Sequence, residues 1–217
     1  LPEALKKAAF AKVARAWSER PALLAAGWGK TDLPMFKISS GPNGKNKRTA
    51  RTDLPPRLSI LVLGRPFQPQ MALVTAEILS VPKRTGELIR AYAGEVLEMP
   101  PERILVVATH THAGPRPHFG PALRTAFGEA EFDERSLAAA VAYAADQAKK
   151  SYQKVKTGSA STQFSTYIAN RSPGASSPVD DRLRVLKFTA QGRRLLLWSY
   201  SAHPTLVSRK SLQADGD

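Results

Sequence analysis

The stretch Arg103-Ile-Leu-Val-Val-Ala-Thr-His110-Thr-His112-Ala-Gly-Pro115 constrains this chain more than any other. Ile104, Leu105, Val106 and Val107 form a β-branched-rich block, too short for an independent helix and closed off in front by Pro100-Pro101, which predicts a buried strand. The histidines then fall at its carboxyl end. In open α/β sheets ligands and reacting groups collect there, because the loops leaving that end line the crevice above the sheet. Residues two apart in extended chain point the same way, about 6–7 Å apart along the strand. Both imidazoles can therefore address one point if the backbone turns at Gly114-Pro115. Of four histidines in the chain, His110, His112 and His118 lie within nine residues, and histidine is the side chain that most often ligates zinc. A bare His-x-His also occurs where loop histidines cap backbone groups or line a cleft, so spacing alone leaves both readings open.

With 217 residues, 42% hydrophobic and 23% charged, the chain is long enough to bury a substantial core as one large domain or two small ones. Lys and Arg number 32 against 18 Asp and Glu, a net charge of +14, which predicts attraction to anionic partners: acidic lipid surfaces, nucleic acid or acidic substrates. Neither an aromatic-interleaved basic motif nor a basic helix-turn-helix is evident, so nucleic acid is not the expected partner. The absence of cysteine removes disulfide scaffolds, thiolate metal sites and cysteine nucleophiles together. No apolar run approaches the roughly 20 residues of a transmembrane helix, and no signal-peptide pattern is present. The chain starts at Leu1 rather than Met and stops abruptly at Ala214-Asp-Gly-Asp217. It is read as the front part of a longer product, with an upstream segment processed or left out and an extracellular, periplasmic or membrane-associated location.

Residues 3–18 carry Leu5, Ala9, Phe10, Val13 and Trp17 at helical spacing opposite Lys6, Lys7, Lys12 and Arg15, predicting a basic amphipathic helix that packs on the domain or lies on anionic lipid. The segment 1–25 is thus assigned as this helix and a linker, and 26–217 as the folded domain. A first strand is expected over Leu24–Leu33, ending at Pro34, with glycines that allow close backbone approach. Residues 37–57 have loop composition. Strands are expected at Leu58–Leu63 and Met71–Ile78, joined by Gly64-Arg-Pro-Phe-Gln-Pro69. A helix follows from Pro82 to residue 98, with Leu88, Ile89, Tyr92, Val96 and Leu97 on its apolar face, and then the histidine-bearing strand, giving β-β-α-β order. Asp133 is placed as the N-cap of a long helix running to about residue 155, with Leu137, Val141, Ala144, Ala148 and Tyr152 as its buried stripe and Lys149, Lys150 and Lys154 near its negative pole. Gly158–Ile168 is read as a strand of alternating character and residues 176–181 as a turn. Arg182–Thr189 and Arg193–Ser201 form a hairpin about Ala190-Gln-Gly192. The pattern specifies an α/β fold with a mixed sheet flanked by helices.

The last of these strands delivers His203 into Pro204, so two strand ends present imidazoles. If the two strands are neighbours, a metal site assembled from distant segments results, the usual pattern for catalytic zinc. Thr109-His-Thr-His-Ala-Gly-Pro115, Asn170-Arg-Ser-Pro173 and Ser201-Ala-His-Pro-Thr205, in this order and spacing, resemble the N-terminal catalytic domain of the neutral/alkaline, non-lysosomal ceramidases. Gly27-Trp-Gly-Lys-Thr-Asp32, Ala72-Leu-Val-Thr-Ala-Glu77 and Val179-Asp-Asp-Arg-Leu-Arg-Val-Leu186 add to the resemblance, which runs from about residue 26 to the end. It implies a zinc amidohydrolase that cleaves an N-acylated sphingoid base to a fatty acid and an amine. It also implies His110 and His203 as zinc ligands, His112 and Arg171 as catalytic groups, and Asn170 with Arg171 as binding groups for the substrate's polar head or developing oxyanion. Zinc would acidify a water and polarise a carbonyl, and an arginine beside it would stabilise transition-state charge.

The family completes its zinc site with a Glu and a Tyr far downstream and carries its catalytic serine in an Asn-x-Gly-Asp-x-Ser-Pro-Asn segment. Neither is matched within these 217 residues. Gly174-Ala-Ser-Ser-Pro178 replaces the Tyr and Asn-Pro of typical members, and Glu77 stands where many have Asp. Two rivals accompany the ceramidase reading. One is a different His-x-His metal hydrolase; a metallo-β-lactamase-type site needs His-x-His-x-Asp-His, and Gly114-Pro115 stand at its last two positions. The other is a non-catalytic lipid- or anion-binding relative, favoured by the charge.

Overall fold

The computed structural model describes residues 18–20, 24–34, 37–39, 46–48, 54–116, 120–122, 129–131, 133–170, 179–205 and 207, the segments 18–20, 37–39, 46–48 and 129–131 by backbone alone. Its strands in chain order are β1 (Ser18–Arg20), β2 (Ala25–Asp32), β3 (Lys37–Ser39), β4 (Asn46–Arg48), β5 (Arg57–Arg65), β6 (Gln68–Ala76), β7 (Ile104–Ala108), β8 (Glu129–Glu131), β9 (Gln153–Lys154), β10 (Lys156–Gln163), β11 (Arg182–Ala190) and β12 (Arg193–Ser199). Among the described residues the helices α1 (Lys83–Leu97) and α2 (Glu134–Lys150) interrupt them. The fold is α/β with mixed sheet, as the sequence predicts. The chain divides into two compact units, one of Leu1–Ala25 with Gln153–His203 and one of Ala26–Tyr152 with Pro204–Asp217.

In the larger unit the strand order is β7-β6-β5-β2. β5 and β6 form an antiparallel hairpin with a register shift between Leu63 and Gly64. The six-residue connection expected over Gly64–Pro69 is in fact a turn at Pro66-Phe67, with both strands running into it. Proline supplies the fixed φ of the first turn position, and Phe67, at φ 65° and 97% exposed, takes the left-handed second one. β6, α1 and β7 make a β-α-β crossover in which β7 runs parallel to β6, Ala72 opposite Ile104 through Ala76 opposite Ala108. This register brings the ends of β6 and β7 out side by side, which positions the histidine loop.

The core of this unit joins Leu58, Ile60, Val62, Val74, Ile89, Leu137 and Val141. On α1, Ile89 and Leu97 are buried as expected, whereas Leu88, Tyr92 and Val96 are half-buried; Ala93 and Gly94 take the centre of the contact because small side chains let the elements approach. The α2 cap is as read from the sequence: the Asp133 carboxylate accepts from Ser136 N at 3.2 Å. The helix stops at Lys150, short of the expected residue 155. Ser151 breaks it by turning its hydroxyl onto the Trp28 backbone, accepting from Trp28 N at 2.9 Å and donating to Trp28 O at 3.1 Å. Gln147 treats Lys30 in the same way, so helix side chains satisfy a stretch of the β2 edge.

The loop expected over 37–57 contains structure. β3 pairs antiparallel with β4 and with β8, Lys37 opposite Arg48 and Glu131. β8 lies about ninety residues away along the chain, so no local pattern announces the pairing.

The smaller unit is the antiparallel sheet β1-β10-β11-β12. Ser18, expected to end the N-terminal helix, begins β1, which pairs with β10; the rest of that helix lies outside the described residues. β10 ends at Gln163 rather than Ile168, because Phe164 N turns to Asp181 O at 2.7 Å. The β11–β12 hairpin closes through Gln191 at φ 46° and Gly192 at φ 77°, two successive left-handed residues that match strand twist. Residues 176–178 of the expected 176–181 turn lie outside the described residues.

Candidate metal centre at the strand ends

The histidine loop is built by backbone hydrogen bonds to the end of β6. Past Ala108, Thr109 N donates to Ala76 O at 3.0 Å and His110 N to Ile78 O at 3.1 Å, while Leu79 N donates back to Pro115 O at 3.4 Å. The loop from 109 to 115 is therefore laid across residues 76–79. His110 itself takes a left-handed φ of 68°, and the backbone then bends over His112–Gly114, up to the Gly114-Pro115 step where the sequence predicts a turn. A non-glycine residue held in the left-handed region costs of order 1 kcal/mol and persists only where its surroundings over-determine it. The surroundings here do so from both sides.

The ring is fixed as well. His110 Nδ1 lies 2.8 Å from Leu79 O. A carbonyl only accepts, so Nδ1 of the neutral imidazole carries the proton and the lone pair is on Nε2, the arrangement that orients a metal-binding histidine. Thr111, between the histidines, is fully buried, and its hydroxyl accepts from Ala113 N at 3.2 Å. With Thr111 turned inward, the flanking imidazoles come together on the other side, ring centroids 5.1 Å apart and nearly perpendicular at 87°. His110 is exposed and His112 half-buried. Arg116 Nη2 donates to His112 O at 2.7 Å, holding the backbone beyond the second ring. Gly114 is required where it stands: a Cβ there would lie 2.5 Å from Glu77 O and 2.7 Å from Thr111 Cγ2. Glu77 in turn accepts from Arg57 N at 2.7 Å. A fixed Nδ1–H, an Nε2 lone pair and a second imidazole alongside are a donor set that could hold a metal ion.

His203 belongs to the smaller unit, where it is exposed four residues beyond β12. Register places the ends of β10 and β12 together: Gln163 is opposite Arg182 and Ser199 opposite Arg184, so both neighbours of β11 leave at the end where β11 begins. The β10 exit leads to Asn170 and the β12 exit to His203. Tyr200 joins the two, its hydroxyl donating to Phe164 O at 2.5 Å, with ring centroids 5.8 Å apart. Arg171 and His118 lie outside the described residues.

Sequence reasoning missed Leu79, Ile78 and Ala76 as the acceptors that shape the histidine loop, and Tyr200 as the bridge. The first three act through carbonyl groups, which carry no side-chain signal. The Tyr200 bridge spans 36 positions.

Together the parallel β6–β7 pair, the histidine loop at its carboxyl end and the antiparallel β10–β12 sheet make up a ceramidase-like fold. The structure is similar to the neutral ceramidase from Pseudomonas aeruginosa, with a TM-score of 0.69 and 17% identity over 91% of this chain and 34% of that one. It is also similar to a ceramidase complexed with C2, with a TM-score of 0.62 and 16% identity over 90% of this chain and 37% of that one. At such identity the likeness is one of fold, and the chain spans about a third of the length of those ceramidases. By sequence, no protein family and no curated protein matches it.

Proposed function

We propose that this chain forms the histidine-bearing N-terminal part of a zinc-dependent amide hydrolase of ceramidase type, cleaving an N-acyl sphingolipid to a fatty acid and an amine. The observation that carries the reading is the His110–His112 pair at the end of β7, with Nδ1 of His110 committed to Leu79 O, in a ceramidase-like fold. In this reading His110 Nε2 and His203 hold the zinc, which when bound would polarise the amide carbonyl and acidify a water. His112 stands beside His110 to bind the substrate oxygen or move a proton. Asn170 holds the polar head, and Arg171 offsets the negative charge that develops on the amide oxygen. Residues supplied by the rest of a longer product would complete the ligand set.

Metal analysis of the longest natural product, purified without chelator, tests this reading. Zinc present in the wild type should fall in both His110→Ala and His203→Ala, and equal zinc in all three proteins would refute the assignment. The charge of +14 favours a second reading, a relative that binds lipid or other anions without catalysis. Hydrolysis of a short-chain N-acyl sphingosine by the same preparation separates the two, because a binder alone leaves the amide intact.

A further inference from the structure

We infer that Tyr200 is a positioning residue for the arm that carries His203, acting through the hydrogen bond from its hydroxyl to Phe164 O. The inference rests on the reading of His203 as a zinc ligand.

Tyr200 is the first residue beyond β12 and stands three positions before His203. Phe164 is the first residue beyond β10, on the segment that leads to Asn170. The 2.5 Å bond thus ties together two departing chains, alongside the contact of the Tyr200 and Phe164 rings and a backbone hydrogen bond from Tyr167 to the same phenol. Both ends of the tie are themselves held. Phe164 N donates to Asp181 O at 2.7 Å, and the Phe164 ring meets Tyr167 edge-on with centroids 5.8 Å apart. The Tyr200 ring packs with Ala160 against Leu183 and Val185, which are buried in the sheet. Burial raises the phenol pKa above its ordinary value, so the group stays protonated and donates.

A phenylalanine would fill the same apolar seat. The hydroxyl adds direction: it fixes the point from which Ser201-Ala202-His203 leaves the sheet. Groups that orient a metal ligand from behind typically contribute 10–100-fold to metal affinity, and a hydrogen bond at the root of a three-residue arm belongs at the low end of that range.

The test is zinc affinity of the longest natural product, measured by competition with a chromophoric chelator, alongside thermal melting. Tyr200→Phe keeps the ring and is expected to weaken zinc binding about tenfold while the melting temperature stays within a few degrees of wild type. Phe164→Leu thins the packing but retains the carbonyl acceptor, and is expected to melt earlier with zinc affinity close to wild type. His203→Ala serves as the reference. If His203→Ala retains full affinity, the ligand assignment fails and the inference goes with it. If His203→Ala loses zinc while Tyr200→Phe matches wild type, the inference alone is overturned. Equal losses of affinity in Tyr200→Phe and Phe164→Leu would assign the effect to general loosening and overturn it too.

Discussion

Gly27→Ala adds one methyl group where helix α2 lies against strand β2, and the structure allows its cost to be worked out. The added Cβ would stand 2.0 Å from Ala148 O and 2.8 Å from Tyr152 N, both backbone atoms that no rotamer change can move. Gly29, on the same face of the strand, has the same problem, with Ala144 O at 2.1 Å and Gln147 Cβ at 2.6 Å. Among the described glycines only Gly192 has a positive φ, so the alanine backbone is not strained and the effect is steric. To restore ordinary contact at about 3.4 Å the helix must retreat by roughly 1.4 Å, which places the substitution at the upper end of overpacking costs, about 3 kcal/mol. Retreat also stretches the Ser151 and Gln147 bonds to Trp28 and Lys30. For a chain of this length about 3 kcal/mol corresponds to a melting temperature lowered by about 6–12 °C. Circular dichroism at the helical band measures it, with Gly120→Ala as control, since nothing lies within 4 Å of a Cβ there. The Gly27→Ala, Gly29→Ala double variant should lose less than the sum, because one helix displacement relieves both contacts. A Gly27→Ala protein that melts together with the Gly120→Ala control would refute the reasoning.

With the metal site intact, Arg171→Ala is expected to slow amide hydrolysis by about 10²–10³, the scale for loss of one group that stabilises transition-state charge; a wild-type rate would remove Arg171 from the site. Asp133→Ala removes the carboxylate that caps α2 through Ser136 N and should destabilise the protein by about 1 kcal/mol in urea unfolding, while Asp133→Asn should retain most of that stability. The basic balance predicts sedimentation with anionic vesicles that weakens as salt is added, with each Lys or Arg near the surface contributing about 1 kcal/mol. Deletion of residues 1–20 should reduce it, and protein that stays in the supernatant at low salt would detach the charge from any membrane role.

Hydrophobic period and turn chemistry were enough to read several elements from the sequence. The apolar block Ile104–Val107, the Asp133 cap, the Gln191-Gly192 turn and the glycines of β2 each act over a few residues, so their physics is written locally. The same holds for two histidines and their place past a strand end. Three-dimensional pairing decided the rest. β8 exists because Lys37–Ser39 of β3 finds Glu129–Glu131 across the chain, and no composition rule sees a partner so far away. Helix α2 ends at Lys150 because the Ser151 hydroxyl has the Trp28 backbone to bond. His110 adopts φ 68° because carbonyls of residues 76–79, more than thirty positions upstream, take its amide, its ring and the amide before it. The sequence by itself determined which side chains are present for chemistry and roughly where each strand stops. The direction in which those side chains leave depended on distant backbone acceptors, and that only the tertiary structure decided.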